Sequence, residues 1–140
     1  MILVTGADGL IGRHICALLR SARIAYRPFD VKLSPTDDIR NRPAIAEALK
    51  GVRGVVHLAA VSRVVWGERN PMLCAATNVD ALADLLRLCV EGSRPWFIFA
   101  SSREVYGEPS AKCRWRPKRG STWKRVPIFW RLRPDRTKAS

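Results

Sequence analysis

The chain has 140 residues, 47% apolar and 26% charged, which suits one soluble globular domain with a real core and excludes a disordered or fibrous chain. No apolar run approaches the roughly 20 residues of a membrane helix, and the first residues enter a strand pattern without a basic stretch and apolar segment of signal type, so a cytoplasmic setting is expected. The formal net charge of +13 is unevenly spread: residues 1–108 carry 14 basic and 11 acidic side chains, whereas residues 109–140 carry 11 basic side chains and one acid, Asp135. Composition alone therefore sets a boundary near Glu108, between a domain over 1–108 and a basic tail over 109–140.

In chain order, Ile2–Thr5 reads as a buried strand that runs into Gly6, Gly9 and Gly12, spaced as Gly-x-x-Gly-x-x-Gly. Gly6 suits a sharp turn off the strand, Gly9 a close approach of backbone amides to a pyrophosphate, and Gly12 tight packing of the next helix. That helix is expected over about Leu10–Ser21, with Ile11, Ile15, Leu18 and Leu19 on one side, and its N-terminus offers unpaired N–H groups to phosphate. A second strand covers Ile24–Phe29 and is closed by Asp30, about 20 residues past the turn, where such a fold places the acid that grips a ribose diol. The polar loop Ser34-Pro-Thr-Asp-Asp-Ile-Arg-Asn leads to a short helix at Pro43–Leu49. Gly54–Leu58 reads as a third strand, apolar because both faces are covered. No element is assigned from there to Asn70, which suits the cap of a long helix over Pro71–Val90, with Pro71 at its first position and Gly92 at its end. Trp96–Ala100 is the fourth strand, followed by Ser101 and Ser102.

This alternation predicts an α/β fold, a Rossmann-type doubly wound parallel sheet that is incomplete at about four strands, in the order 3-2-1-4. The fourth strand would stand as an exposed apolar edge prone to self-association. The glycine turn, Asp30, His57–Ala60 and Ser101–Ser102 all fall at the carboxyl ends of the strands, the edge on which such sheets bind ligands. Cys16, Cys74, Cys89 and Cys113 form no Cys-x-x-Cys pair, and His14 near Cys16 has no further ligand beside it. Buried free thiols are expected at Cys16 and Cys89, and no metal site.

Together, Thr5-Gly6-Ala7-Asp8-Gly9-Leu10-Ile11-Gly12, His57-Leu58-Ala59-Ala60, Asn78-Val79 and Ser101-Ser102-Arg103-Glu104-Val105-Tyr106-Gly107 resemble the NAD-dependent epimerase/dehydratase family, the extended branch of the short-chain dehydrogenase/reductases. The match in order and spacing covers residues 1–108. The resemblance implies NAD as cofactor and a nucleotide sugar as substrate, with a sugar hydroxyl oxidised and the hydride returned after epimerisation, dehydration or decarboxylation. It implies that Gly6, Asp8, Gly9, Leu10, Ile11 and Gly12 hold the pyrophosphate and that Asp30 takes the adenosine ribose, favouring NAD over NADP. Asp38 and Ile39 would meet the adenine edge, while Leu58, Ala59 and Ala60, with Ala100 and Ser101, would line the ribose and nicotinamide path. Asn78 would order the active site and Ser102 would be the catalytic hydroxyl. Glu104 falls where sugar dehydratases keep a general acid/base, but the aspartate that precedes it there is Arg103 here, which speaks against dehydration. Tyr106 is a structural member of the Val-Tyr-Gly segment, and His57 is given no catalytic role. Taken from the residues alone, Asp30 and Asp38 also suit plain turn acids, Asn78 an ordinary helix polar residue, and Ser102 a hydroxyl that closes a strand.

The family's chemistry needs a Tyr-x-x-x-Lys pair one helical turn apart, the phenol as acid/base and the ammonium to lower its pKa. Tyr26 is followed four residues on by Asp30, and Tyr106 by Ser110, so the 140 residues contain no such pair. Turnover by this chain is not expected, and no dimer is assumed. From Pro109 the sequence holds Trp115, Trp123, Trp130 and four prolines among its 11 basic residues. One reading makes the chain a non-catalytic dinucleotide-binding module whose tail meets nucleic acid, or an anionic membrane surface, through charge and stacking. The other, and the expectation here, is a frameshifted and truncated gene product, in which the tail is not family sequence.

Overall fold

The computed structural model describes residues 1–102, and within them four parallel strands make one sheet. Strand β1 spans Ile2–Thr5, β2 Tyr26–Phe29, β3 Gly54–His57 and β4 Trp96–Phe99. Helices α1 (Leu10–Ser21), α2 (Arg42–Ala48), α3 (Val64–Arg69), α4 (Pro71–Ala75) and α5 (Ala81–Glu91) connect them, with a π-helical turn at Ala76–Asp80 between the last two. The α/β class and the four strands are as predicted. Glu104, Tyr106 and the tail lie outside the described residues.

The order of the sheet corrects the sequence reading: it is β2-β1-β3-β4, not 3-2-1-4. An outer third strand would have to come from the stretch between Asp30 and α2, and that stretch is a series of polar turns. Gly54–His57 is buried at every position and takes the central place beside β1. The overlooked signal is Pro28. A proline in a strand has no N–H for a second neighbour, so it belongs at a sheet edge, and β2, which among the described residues pairs only with β1 through Val4↔Pro28 and its companions, is that edge.

Alternation along the strands sends side chains to two cores. Leu3, Val55 and Phe97 lie in register across the sheet and pack with Ile45 and Ala48 of α2 and Ala81, Leu85 and Cys89 of α5. Val4 and Val56, in register with Ile98, meet Cys16 and Ile15 of α1 on the opposite face. Cys16 and Cys89 are buried free thiols, as expected, and burial pushes the Cys89 thiol up to about 11. No helix of the described residues is long and apolar enough to cross a membrane.

The expected long helix is interrupted. Asn70 caps α4, its side chain accepting from the Leu73 amide at 3.0 Å, and Pro71 stands at the first helical position, but the π-helical turn separates α4 from α5. Helix α3 was not foreseen: Val-Val-Trp is weak helix sequence, and the element buries none of its own residues. Gly92 does end α5, yet the left-handed residue there is Arg94, at φ 49°, whose amide reaches the Cys89 carbonyl at 3.0 Å.

Gly54 gives the sheet a testable weak point. It pairs with Trp96, and a Cβ at Gly54 would fall 2.0 Å from the indole Cε2. Gly54→Ala is expected to displace the ring and cost about 1–3 kcal/mol of stability, read as a lower urea midpoint at unchanged slope.

Candidate functional site

The strand register brings three chain segments together at Gly6. Thr5 is level with Phe29 on one side and His57 on the other, so all three strands end at the same height. There the chain turns through Gly6 at φ 68°, with its amide on the Phe29 carbonyl at 3.0 Å. A Cβ on Gly6 would lie 2.7 Å from backbone atoms of both Leu58 and Ala59, so the glycine is required by conformation and by contact together. Gly12 serves a second close approach: its Cβ would fall 2.1 Å from the Gly6 carbonyl oxygen. The first turn of α1 thus rests on the backbone of the glycine turn itself.

Gly9 is the N-cap of α1 and no side chain caps the helix, so its first amides face outward without a side-chain acceptor. Beside them Leu10 and Ile11 are 82% and 59% exposed, two large apolar side chains on the rim of the crevice. Asp30 is held against this turn. Its Oδ2 accepts from the Asp8 amide and its Oδ1 from the Lys32 amide, both at 2.9 Å, which aims the carboxylate along the mouth of the crevice with lone pairs to spare. The Asp8 carboxylate is taken by Arg13 at both oxygens. Uncapped amides, a backbone cradle that admits no Cβ and an oriented carboxylate are a donor and acceptor set that fits the pyrophosphate and ribose of a dinucleotide.

Behind the crevice stands a pair that the sequence reading missed. Thr5 Oγ1 accepts from the Leu58 and Ala59 amides at 3.3 and 3.4 Å, which leaves its own hydrogen for His57 Nδ1 at 2.8 Å. The imidazole therefore accepts at Nδ1 and carries its proton on Nε2. It is 2% exposed and stacks on Phe99 at a ring separation of 6.0 Å, and burial pushes its pKa down to about 4. A threonine and a histidine at level positions on neighbouring buried strands were the available signal.

Asn78 holds the same loop from the other side. Its Oδ1 accepts from the Val61 amide at 2.8 Å and its Nδ2 donates to the Val61 carbonyl at 3.0 Å. The π-helical turn carries this residue, in keeping with the association of such turns with functional sites. Leu58 and Ala59 are half-buried and Ala60 is exposed, as are Ala100, Ser101 and Ser102 at the end of β4. The Ala100 amide reaches the His57 carbonyl, which ties the two strand ends together. Asp38 and Ile39 sit in the turns before α2. Arg40 grips the Asp38 carboxylate and holds it below its usual range, and the Ile39 side chain packs into the α2 and α5 core. Glu104 lies outside the described residues.

Comparison with known proteins gives a consistent result. Residues 2–122 match the model of the NAD dependent epimerase/dehydratase family, a span that runs past Glu108. An uncharacterized UDP-glucose epimerase, YtcB, of Bacillus subtilis is 36% identical over 79% of this chain and 42% of its own length. Human 3 beta-hydroxysteroid dehydrogenase type 7 is 28% identical over 79% of this chain and 34% of its own. The structure of MoeE5 in complex with UDP-glucose and NAD superposes with a TM-score of 0.69, at 32% identity, over 76% of this chain and 38% of that one. The chain thus spans about two fifths or less of the proteins it matches.

The geometry predicts two outcomes. Because His57 titrates near 4 when folded against an ordinary 6.5, the unfolded chain takes up the proton first as pH falls. The contribution of His57 is then complete above about pH 6.5 and is lost progressively down to about pH 4, some 2 kcal/mol of it by pH 5. Urea unfolding at pH 7 and pH 5 should show that loss, and His57→Gln should flatten it. Asn78→Ala should cost about 1–3 kcal/mol by orphaning the Val61 backbone groups, seen as faster amide hydrogen exchange at Val61.

Proposed function

The chain belongs to the NAD-dependent epimerase/dehydratase family, and from that premise we propose that it is an NAD-binding portion of a nucleotide-sugar enzyme of this kind, competent to hold the dinucleotide but not to turn over substrate by itself. The observation that carries this is the junction at Gly6, where backbone contacts leave no room for a Cβ and Asp30 is fastened to the amide of Asp8 beside the uncapped start of α1. The relatives bear names that belong to nucleotide-sugar and steroid chemistry.

In this reading the α1 amides and Gly9 receive the pyrophosphate, Asp30 accepts from the adenosine ribose hydroxyls, and Leu58–Ala60 wall the path toward Ser101 and Ser102. Asp38 and the Ile39 backbone border the adenine end. When bound, NAD would supply a hydride acceptor that later returns the hydride to the sugar. Ser102 would hydrogen-bond the reacting sugar oxygen, and Glu104 would serve as an acid or base. The proton transfer that accompanies hydride movement needs a phenol with a depressed pKa, and the 140 residues hold no Tyr-x-x-x-Lys pair to provide one. Cofactor binding without turnover follows. The nucleotide-sugar assignment is supported by the epimerase name of the bacterial relative and by the UDP-glucose complex of the structural neighbour.

Calorimetric titration of the 140-residue chain with NAD tests the reading. Wild type should bind, Gly9→Trp should abolish binding by filling the space before the amides, and Asp30→Ala should weaken it by about tenfold or more, the value of charge-assisted hydrogen bonds. A folded wild-type chain that binds no NAD, or binds it with no effect of either change, would overturn it.

A further inference from the structure

The sheet has a second edge, at the amino ends of its strands, and its charge is the reverse of the first. Arg23, Arg53 and Arg94 stand just ahead of β2, β3 and β4, and all are exposed. Backbone bonds continue past the strands and hold them in one row. The Ile2 amide donates to the Ala25 carbonyl at 2.9 Å, the Arg53 amide to Met1 at 3.0 Å, and the Trp96 amide to Arg53 at 3.2 Å. Among the described residues none of these arginines has an ion pair, nor does Arg20 in the last turn of α1. The carboxylates that likewise lack one are Asp30, Asp37, Glu68 and Asp80. All of them lie in the segments that leave the carboxyl ends of β2 and β3, ahead of the returning helices α2 and α5. Uncompensated positive charge is thus gathered on one edge and uncompensated negative charge toward the other.

The backbone supplies a second observation. Arg23 at φ 55° and Arg94 at φ 49° are the non-glycine residues in the left-handed region, each where a helix turns into a strand. The matching turn after α2 uses Gly51 at φ 69°, so glycine serves such a turn without the steric strain. Complementing a helix dipole does not explain the row either, because Arg53 lies on no helix. Beside the arginines, Tyr26 and Trp96 open the two outer strands, level with Ile2 and Gly54 on the face of α1, and both are half-buried. We propose that this amino edge binds single-stranded nucleic acid, with Arg23, Arg53 and Arg94 on its phosphates and Tyr26 and Trp96 as platforms for its bases. Guanidinium groups meet phosphate two-pronged, and flat rings beside them favour bases over an acidic peptide. The formal net charge of +13 favours a polyanion as well. The surface lies at the opposite end of the strands from the dinucleotide crevice and does not depend on the cofactor reading.

Fluorescence anisotropy of a labelled oligothymidylate, titrated with the full chain over a series of salt concentrations, decides the matter. Wild type should bind, and the triple change Arg23→Gln, Arg53→Gln and Arg94→Gln should weaken binding by about tenfold or more and make the log–log salt slope shallower by about 2. A control triple on other faces, Arg63→Gln, Arg69→Gln and Arg87→Gln, removes the same charge and should have a much smaller effect. Arg23→Gly with Arg94→Gly should raise the urea midpoint by relieving the left-handed backbone and yet lower the affinity for the oligonucleotide, a divergence that a purely structural role does not produce. No binding by wild type, equal losses in the two triples, or a glycine pair with unchanged affinity would each sink the proposal. Displacement of the oligonucleotide by polyglutamate at equal charge concentration would also overturn it, in favour of an acidic protein partner.

Discussion

Everything at the carboxyl edge of this sheet depends on backbone pressed against backbone. Gly6 lies so close to Leu58 and Ala59, and Gly12 so close to the Gly6 carbonyl, that a single Cβ at either place would have to displace main chain, which unlike a flexible side chain cannot swing aside. The contact joins three elements that are distant in sequence: the turn after β1, the loop after β3 and the first turn of α1. Its effect is to hold the amides of α1, the carboxylate of Asp30 and the small residues of the β3 loop in one fixed arrangement. A ligand that uses them meets a site already in place, which is what allows binding energy to be kept and not consumed in ordering the chain.

Polar pairs secure the same edge from behind. Thr5 gathers two amides of the β3 loop and gives its proton to His57, and Asn78 takes both backbone groups of Val61. Neither His57 nor Asn78 has to touch a ligand in order to matter. They fasten the backbone on either side of Leu58–Ala60.

Much of this was legible in the sequence, for reasons that differ from residue to residue. The glycine spacing, the apolar strands and the acid after β2 are local patterns, and the structure places the turn and Asp30 against each other through the Asp8 amide. The exchange of the third strand to the other side of β1 was not read, because strand order is decided by which neighbours can complete a ladder, and Pro28 was passed over as a mark of the edge. The Thr5–His57 bond was missed because it arises from register across two strands 52 residues apart. Helix α3 was missed because Val64, Val65 and Trp66 are poor helix formers. The Asp8–Arg13 pair was missed because the glycine pattern drew notice to the positions that lack side chains.

The π-helical turn at Ala76–Asp80 also sets the rotational phase of the helix on either side of it. Each residue advances an α-helix by about 100°, so a turn with a wider circumference offsets everything after it relative to everything before. Ahead of it, the orientation is dictated by the Asn70 cap. Behind it, the orientation is dictated by Ala81, Leu85 and Cys89, which must face the sheet. An uninterrupted α-helix could satisfy one of these demands or the other, and would carry Asn78 around the axis with it. The turn acts as a fixed clutch between the two halves, and its length is as much a part of the site as any side chain that it presents.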